Sequence, residues 1–490
     1  MARHAVARHA ADAAPVVNGA TLAAPATNWP RLRLMLVGLG ISVVPLDSSV
    51  NIAFPDITGS FGLPIAMIQW VVICYVLTHA GLMLALGRVG DMWGHGRVFR
   101  AGLMWSVVAF VLCAAAPSFG WLLFFRFLQG IAAGLIVSCA PALVTSLYPE
   151  TRRSHALGVF TLMFAMGSAA GPLLGGMLVA QWGWPGVFWF RAPIALTSLV
   201  LLRGLPHGTE APRGQRFDIA GALLLAFGLA GLLLAINAVP RLKGGDYLAL
   251  FLFPAASASL VGFVWWEGRA TQPIVRIELF RQAAFAIVNL ASASMYLVTF
   301  SVLLFAPYFL VRYTALPLPL AGAVLATGFV AMAATSPLAG SLVGRLGAER
   351  VAPLGALATG CGLFLVGSWQ PATPPLVMVL ALCLHGIGLA FFQVAYMEIV
   401  MAASPLAYRG VAGSLAMLTR TIGTVTGAAL LTLGFQAIAS AAQGGGAGEA
   451  EAFLAAFHTM FRIAGVTAAA TGVLVAWSAR KPSGIIGGGV

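Results

Sequence analysis

A chain of 490 residues that is 60% hydrophobic and only 8% charged cannot cover a water-exposed surface, since soluble domains carry about a quarter charged residues. That excludes an ordinary soluble enzyme, a secreted disulfide scaffold and a disordered protein. The net charge of +13 does not mark a nucleic-acid binder either, because the basic residues come in ones to threes between apolar runs, where they set membrane topology.

In chain order, residues 1–30 are Ala-rich with scattered Arg and His. They lack a compact apolar segment before a cleavage site, so they read as a disordered cytoplasmic tail and not as a signal peptide. Apolar runs of about 20 residues, enough to cross the hydrocarbon, follow near 33–54, 67–87, 99–116, 119–141, 156–180, 187–205, 218–239, 247–266, 284–311, 319–343, 351–369, 375–401, 411–437 and 457–478. The reading is an all-α polytopic membrane protein of fourteen spans. Residues 31–205 form one six-helix bundle, 206–281 a linker with two extra helices, 282–479 a second six-helix bundle, and 480–490 a cytoplasmic tail.

Few polar groups interrupt these runs. A carboxylate at membrane depth is costly and functional by default. Asp47 in span 1 therefore reads as a protonatable or cation-binding group, against the plainer alternative of a structural residue paired with a helix end or an arginine. Glu398, near the end of span 12, is either a second protonatable group or reaches the headgroups. His79 and His385 read as packing residues. The five cysteines lie inside apolar runs without CxxC spacing and read as small buried side chains. There is no P-loop and no metal-ligand cluster in the sequence, so neither ATP drive nor a cofactor is expected.

With the N-terminus inside, twenty of the 27 basic residues fall on inside segments, and three, Arg241, Lys243 and Arg312, fall outside. This split puts both termini in the cytoplasm. The loop after span 2, GRVGDMWGHGR (Gly87 to Arg97), and the loop after span 10, GSLVGRLGAER (Gly340 to Arg350), lie 253 residues apart. Gly167 and Gly171 of span 5 precede Gly423 and Gly427 of span 13 by 256. Two six-helix units meeting at a central site is a transporter architecture. Spans 7 and 8 stand outside the repeat.

Four motifs are informative. LDSSVNIAFP runs from Leu46 to Pro55 and holds Asp47. GRVGDMWGHGR holds Gly87, Gly90, Asp91 and Arg97. RFLQGIAAG runs from Arg126 to Gly134; a buried arginine keeps its proton and must face a cavity or a carboxylate. GSAAGPLLGG holds Gly167, Gly171, Pro172, Gly175 and Gly176. Glycines four apart share a helix face and let another backbone come close, and Pro172 is expected to bend its helix. Together these resemble the major facilitator superfamily and, within it, the fourteen-span drug:proton antiporter family. In order, they are similar to LDxTxVNVALP, GxLaDrxGrr, RxxQGxGaa and GxxxGPxxGG. The second motif departs at Met92, where an arginine is usual, and its second copy has Gly344 in place of the acid. Arg420 resembles a basic position of the matching span.

The resemblance implies the major facilitator fold and proton-coupled export by alternating access. It implies that Arg126 assists proton transfer by tuning a nearby acid, for which Asp47 is the candidate; Glu398, on its own position, is the second candidate for proton coupling. The loop with Gly87, Gly90, Asp91 and Arg97 would latch a gate, and the span 5 glycines, with Pro172, go with export. Asp47, Gln69, Tyr75, Gln393 and Tyr396 would contact the substrate, a hydrophobic or cationic small molecule. The expected partners are that substrate, protons and the lipid of a bacterial inner membrane, with a monomer as the working unit. A dedicated exporter of an endogenous metabolite or lipid, or a proton symporter for uptake, are the alternatives.

Overall fold

The computed structural model describes residues 29–146, 153–202, 218–239, 247–270, 280, 283–402 and 409–480, and no strand occurs among them. Fourteen helices of eleven or more residues are described: α1 (Trp29–Ser42), α2 (Gln69–Trp93), α3 (His95–Ala114), α4 (Phe119–Ser146), α5 (Arg153–Trp182), α6 (Arg191–Leu201), α7 (Ile219–Ala238), α8 (Leu248–Glu267), α9 (Ala283–Arg312), α10 (Leu318–Leu346), α11 (Ala348–Val366), α12 (Pro375–Ala402), α13 (Arg409–Gly444) and α14 (Glu449–Arg480). Odd-numbered helices finish at one end of the molecule, the odd end, and even-numbered helices at the other, the even end.

The expected fourteen membrane spans are not reached by length. Among the described residues, eleven stretches are long and apolar enough to cross a membrane, and a twelfth if Phe54–Ser60 and Ile65–His79, bent by 115°, are taken as one. Two further apolar stretches among the described residues are shorter: Gly186–Leu201, which joins the short helix Gly186–Trp189 to α6 after the turn at Gly183, where φ is +66°, and Leu223–Ile236 of α7.

α1 does not run straight across. After Ser42 the chain passes through the 3₁₀ turn Pro45–Ser48 and the short helices Ser49–Ile52 and Phe54–Ser60. Pro45 has no N–H to continue the helical ladder. The break is held by α5. A Cβ at Gly167 would stand 2.8 Å from Pro45 Cγ, and one at Gly175 would stand 2.8 Å from the Ser49 carbonyl. At Gly171 it would collide with Ser48 Oγ. Only glycine lets the two backbones approach this closely. Ser48 Oγ adds a hydrogen bond across to the Ser168 carbonyl at 3.0 Å. α5 itself is one helix through Pro172. The second repeat packs alike: Gly423 and Gly427 of α13 meet the carbonyls of Ala293 and Leu297 on α9. Gly94 and Gly347, again 253 apart, close α2 and α10 at φ of +90° and +85°.

At the odd end the repeats interlock. A Cβ at Gly176 of α5 would lie 2.5 Å from the Leu318 carbonyl of α10, and one at Gly322 would strike the Pro172 carbonyl. The buried Tyr308 hydroxyl of α9 donates to Thr58 Oγ1 at 3.3 Å. At the even end, by contrast, nothing among the described residues lies within 4 Å of the Cβ position of Gly340 or Gly344, and Met92, Trp93 and Leu346 are exposed. α7 and α8 form a pair, with Ser259 Oγ on the Leu224 carbonyl at 2.8 Å. α7 also lies against α2 and α13, one helix from each repeat.

Candidate functional site

Asp47 sits in the 3₁₀ turn where α1 breaks. Its carboxylate is held from two helices. Arg126 of α4 donates through Nη1 to Oδ1 at 2.6 Å and through Nη2 to Oδ2 at 2.8 Å, a bidentate pair. Arg191, the first residue of α6, donates through Nη1 to Oδ1 at 2.6 Å. Gln129, one turn beyond Arg126 on α4, adds a bond from Nε2 to Oδ1 at 2.9 Å. Both arginines are buried, at 1% and 0% side-chain exposure, while Asp47 keeps 14%. The carboxylate is therefore the member of the cluster that reaches open space.

The arginines are fixed by their other groups as well. Arg126 Nε donates to the Val71 carbonyl at 2.9 Å, and its Nη1 also reaches Gln129 Oε1 at 2.8 Å. The Tyr75 ring lies under the guanidinium at 4.4 Å. Arg191 Nε donates to the Val187 carbonyl at 2.9 Å, and the rings of Phe110 and Phe188 flank it at 4.6 and 5.1 Å. Such rings stabilise a desolvated cation through their negative faces. The geometry ties α1, α4 and α6 together through one ionisable oxygen pair, so any change in the charge of Asp47 is felt by three helices.

The other candidates scatter. Tyr75 joins the cluster through its ring. Gln69 is buried at the start of α2. Tyr396 is likewise buried, and its hydroxyl is committed to Asn289 Oδ1 at 3.0 Å, where Thr419 Oγ1 also donates at 3.2 Å. Gln393 is half-buried on the same helix, α12. Glu398 is exposed and makes no hydrogen bond or ion pair among the described residues, so it does not share the site of Asp47. Gly90 is buried beside Cys139 Sγ, and Arg97 is exposed. The side-chain surroundings of Gly87 and Asp91, on the last turns of α2, lie outside the described residues. His385 packs in the second repeat with its backbone against Gly362. His79 stacks on Tyr75, ring centroids 6.1 Å apart.

Sequence reasoning missed Arg191 and Gln129. Gln129 was within reach: three residues after Arg126, it shares that face of α4. Arg191 stands 144 residues from Asp47, and only its presence in an apolar stretch signalled it.

The model of the Major Facilitator Superfamily matches residues 34–288 and again 288–485. The chain belongs to this superfamily, and it is a multi-pass membrane transport protein. It is 30% identical over 405 residues to the "Multidrug resistance protein Stp" of Mycobacterium tuberculosis (strain CDC 1551 / Oshkosh), covering 82% of this chain and 75% of that one. It is 28% identical to the "Tetracenomycin C resistance and export protein" of Streptomyces glaucescens, covering 82% and 75%. Identity to the "Riboflavin transporter RibZ" of Clostridioides difficile (strain 630) is 27%, covering 81% and 87%. Among solved structures, a peptide transporter POT in complex with sulfate superposes with a TM-score of 0.68 at 14% identity, over 91% of this chain and 94% of that one. A bacterial homolog of the human lysosomal transporter Spinster gives 0.65 at 16% identity, over 92% and 95%. These two likenesses carry the fold alone.

Proposed function

We propose that this transporter is a proton-coupled exporter of hydrophobic small molecules that works by alternating access. The observation that carries the reading is the buried grip of Arg126 on Asp47 at the break in α1. A carboxylate at membrane depth whose charge state is felt by three helices is suited to converting protonation into movement. The names of the relatives support export, and so does the glycine face of α5 that holds the break. In this reading residues 31–205 and 282–479 rock as two bundles, with the helix pair of 206–281 inserted between them. The arginine distribution supports fourteen crossings with both termini in the cytoplasm. The odd end then faces outward, and the contacts there describe an inward-open molecule. A monomer in a bacterial inner membrane is the expected working unit.

One part of the expectation does not carry forward. A cationic drug seated on Asp47 would have to displace guanidinium groups from both carboxylate oxygens, so Asp47 is not offered as a cation site. Protons arriving from outside would neutralise Asp47 and loosen its hold on α4 and α6. The inward proton gradient carries the energy, about 2.3 kcal/mol per charge per 100 mV before any pH term.

The test uses energised inside-out vesicles and a pH-sensitive dye. Ethidium, as a lipophilic cation, and Nile red, as a neutral compound, are added to vesicles with wild type or Asp47→Asn. Compound-driven collapse of the pH gradient that is absent from Asp47→Asn is the expected result. An equal response from both proteins would remove Asp47 from the coupling path.

A further inference from the structure

The Asp47 cluster does not balance its own charge. Two guanidinium groups share one carboxylate, and no second acid among the described residues bonds to either arginine. Asp56, further along the first membrane segment, is engaged elsewhere: its Oδ2 accepts the Trp184 backbone N–H at 2.7 Å. Arg191 is wholly buried, and its Nη2 has no hydrogen-bond partner among the described residues. Phe110 and Phe188 cover faces of that guanidinium, but its in-plane N–H groups need an acceptor. A surplus positive charge at membrane depth is expensive unless an anion completes it.

A second positive charge lies across α2. Arg420 of α13 is exposed and stands over the Tyr296 ring at 5.3 Å, with no ion pair among the described residues. Its field reaches His79, which stacks on Tyr75, which in turn lies under Arg126. The groups on either side of α2 are therefore cationic, and among the described residues Asp47 is the acid paired with Arg126 and Arg191.

We propose that Arg191 and Arg126 form an anion site in the transport path, which takes the acidic oxygen group of the transported molecule: a carboxylate, sulfonate or phenolate. The proposal rests on the reading of this cluster as the central site, but neither on proton coupling nor on the direction of transport. The oxyanion accepts from Arg191 Nη2 and competes with Asp47 for the Arg126 fork, which matches a planar carboxylate. A cationic group in the same place would add a third positive charge. Leaving a negative interior is also downhill for an anion. The sign of the pH dependence follows. A proton on Asp47 frees the guanidiniums, so an acidic substrate binds more tightly as the pH falls; that is the reverse of the competition between proton and substrate that proton-driven export needs, so tightening at low pH supports the anion site and counts against exchange through Asp47.

The test is equilibrium dialysis of the purified full chain in a low-salt fluoride buffer free of chloride and of any carboxylate or sulfonate. Three probes share one aromatic body: 2-naphthoate, 2-naphthylmethanol and 2-naphthylmethylammonium. Wild type is expected to bind naphthoate about tenfold more tightly than the alcohol, and the ammonium most weakly. Arg191→Gln should reduce naphthoate to the level of the alcohol while leaving the alcohol unchanged, and Arg191→Lys should restore part of the difference. Asp47→Asn, which removes the internal competitor, should tighten naphthoate. Should Arg191→Gln fail to fold, Asp47→Asn decides alone: weaker or unchanged naphthoate binding overturns the proposal. Equal affinity for all three probes, or preference for the ammonium, overturns it as well. If chloride raises the melting temperature while naphthoate binds no better than the alcohol, the site holds an inorganic counter-ion and the substrate assignment falls. Failure of the vesicle assay with the naphthoate order intact would sink proton coupling and leave the anion site standing.

Discussion

In the first repeat the polar groups between α1, α4 and α6 are charged: Asp47, Arg126 and Arg191, joined at 2.6–2.8 Å. In the second repeat the polar groups between α9, α12 and α13 are neutral: Asn289, Tyr396 and Thr419, joined at 3.0 and 3.2 Å. The surrounding packing is alike in both, with paired glycines on α5 and α13 pressed on the backbones of the first segment and α9. The difference therefore lies in what the polar interior can do. A neutral amide–hydroxyl cluster keeps its hydrogen bonds over the whole physiological pH range and serves as fixed packing. An ion cluster changes its bonding when one proton arrives. On the proposed function, the responsive element lies in the first repeat and the static one in the second.

That comparison can be broken at four places. The largest effect is expected from Asp47→Ala, which leaves two buried guanidiniums without their carboxylate; roughly 3–5 kcal/mol of stability should be lost, read as a fall in unfolding midpoint in detergent. A wild-type midpoint would mean that water or an ion already serves the arginines. Next comes Gly171→Ala, whose methyl group collides with Ser48 Oγ and meets the Ser49 backbone at 2.9 Å. A loss of about 1–3 kcal/mol is expected, with a similar loss for Gly427→Ala on the opposite repeat. A loss at only one of them would end the packing likeness. Tyr396→Phe removes one neutral hydrogen bond and should cost only about 0.6 kcal/mol, the average for such bonds within membranes. Smallest is Glu398→Gln, within about 0.5 kcal/mol and without effect on transport, as for an exposed side chain with no partner. Loss of proton coupling in that variant would move the proton site to α12.

Much of the architecture was legible in the sequence because a membrane leaves few solutions. Long apolar runs must be helices, and the glycine spacings around 167–176 and 423–427 must face close backbones. The number of crossings was less legible, since an apolar run does not fix the length of the helix it forms, as Gly186–Leu201 and Leu223–Ile236 show among the described residues. At the site, Asp47 and Arg126 were readable as costly charges in apolar runs. Their contact was not, because nothing in a spacing of 79 residues requires two helices to be neighbours. Arg191 escaped for the same reason, at the far end of a third helix. Gln69 and Tyr396 were expected to contact substrate, and both are buried, with the Tyr396 hydroxyl bonded to Asn289. Polarity alone does not say whether a group meets a ligand or another side chain.

The most direct test of the account is a paired transport measurement in proteoliposomes with an imposed pH gradient, using whichever compound the vesicle assay identifies. Asp47→Asn is set beside Asn289→Ala at matched protein amounts. The account predicts that Asp47→Asn loses gradient-driven transport by about a hundredfold, roughly 3 kcal/mol of lost driving interaction, while Asn289→Ala stays near wild type. Equal losses, or a larger loss from Asn289→Ala, would contradict the assignment of the responsive element to the first repeat.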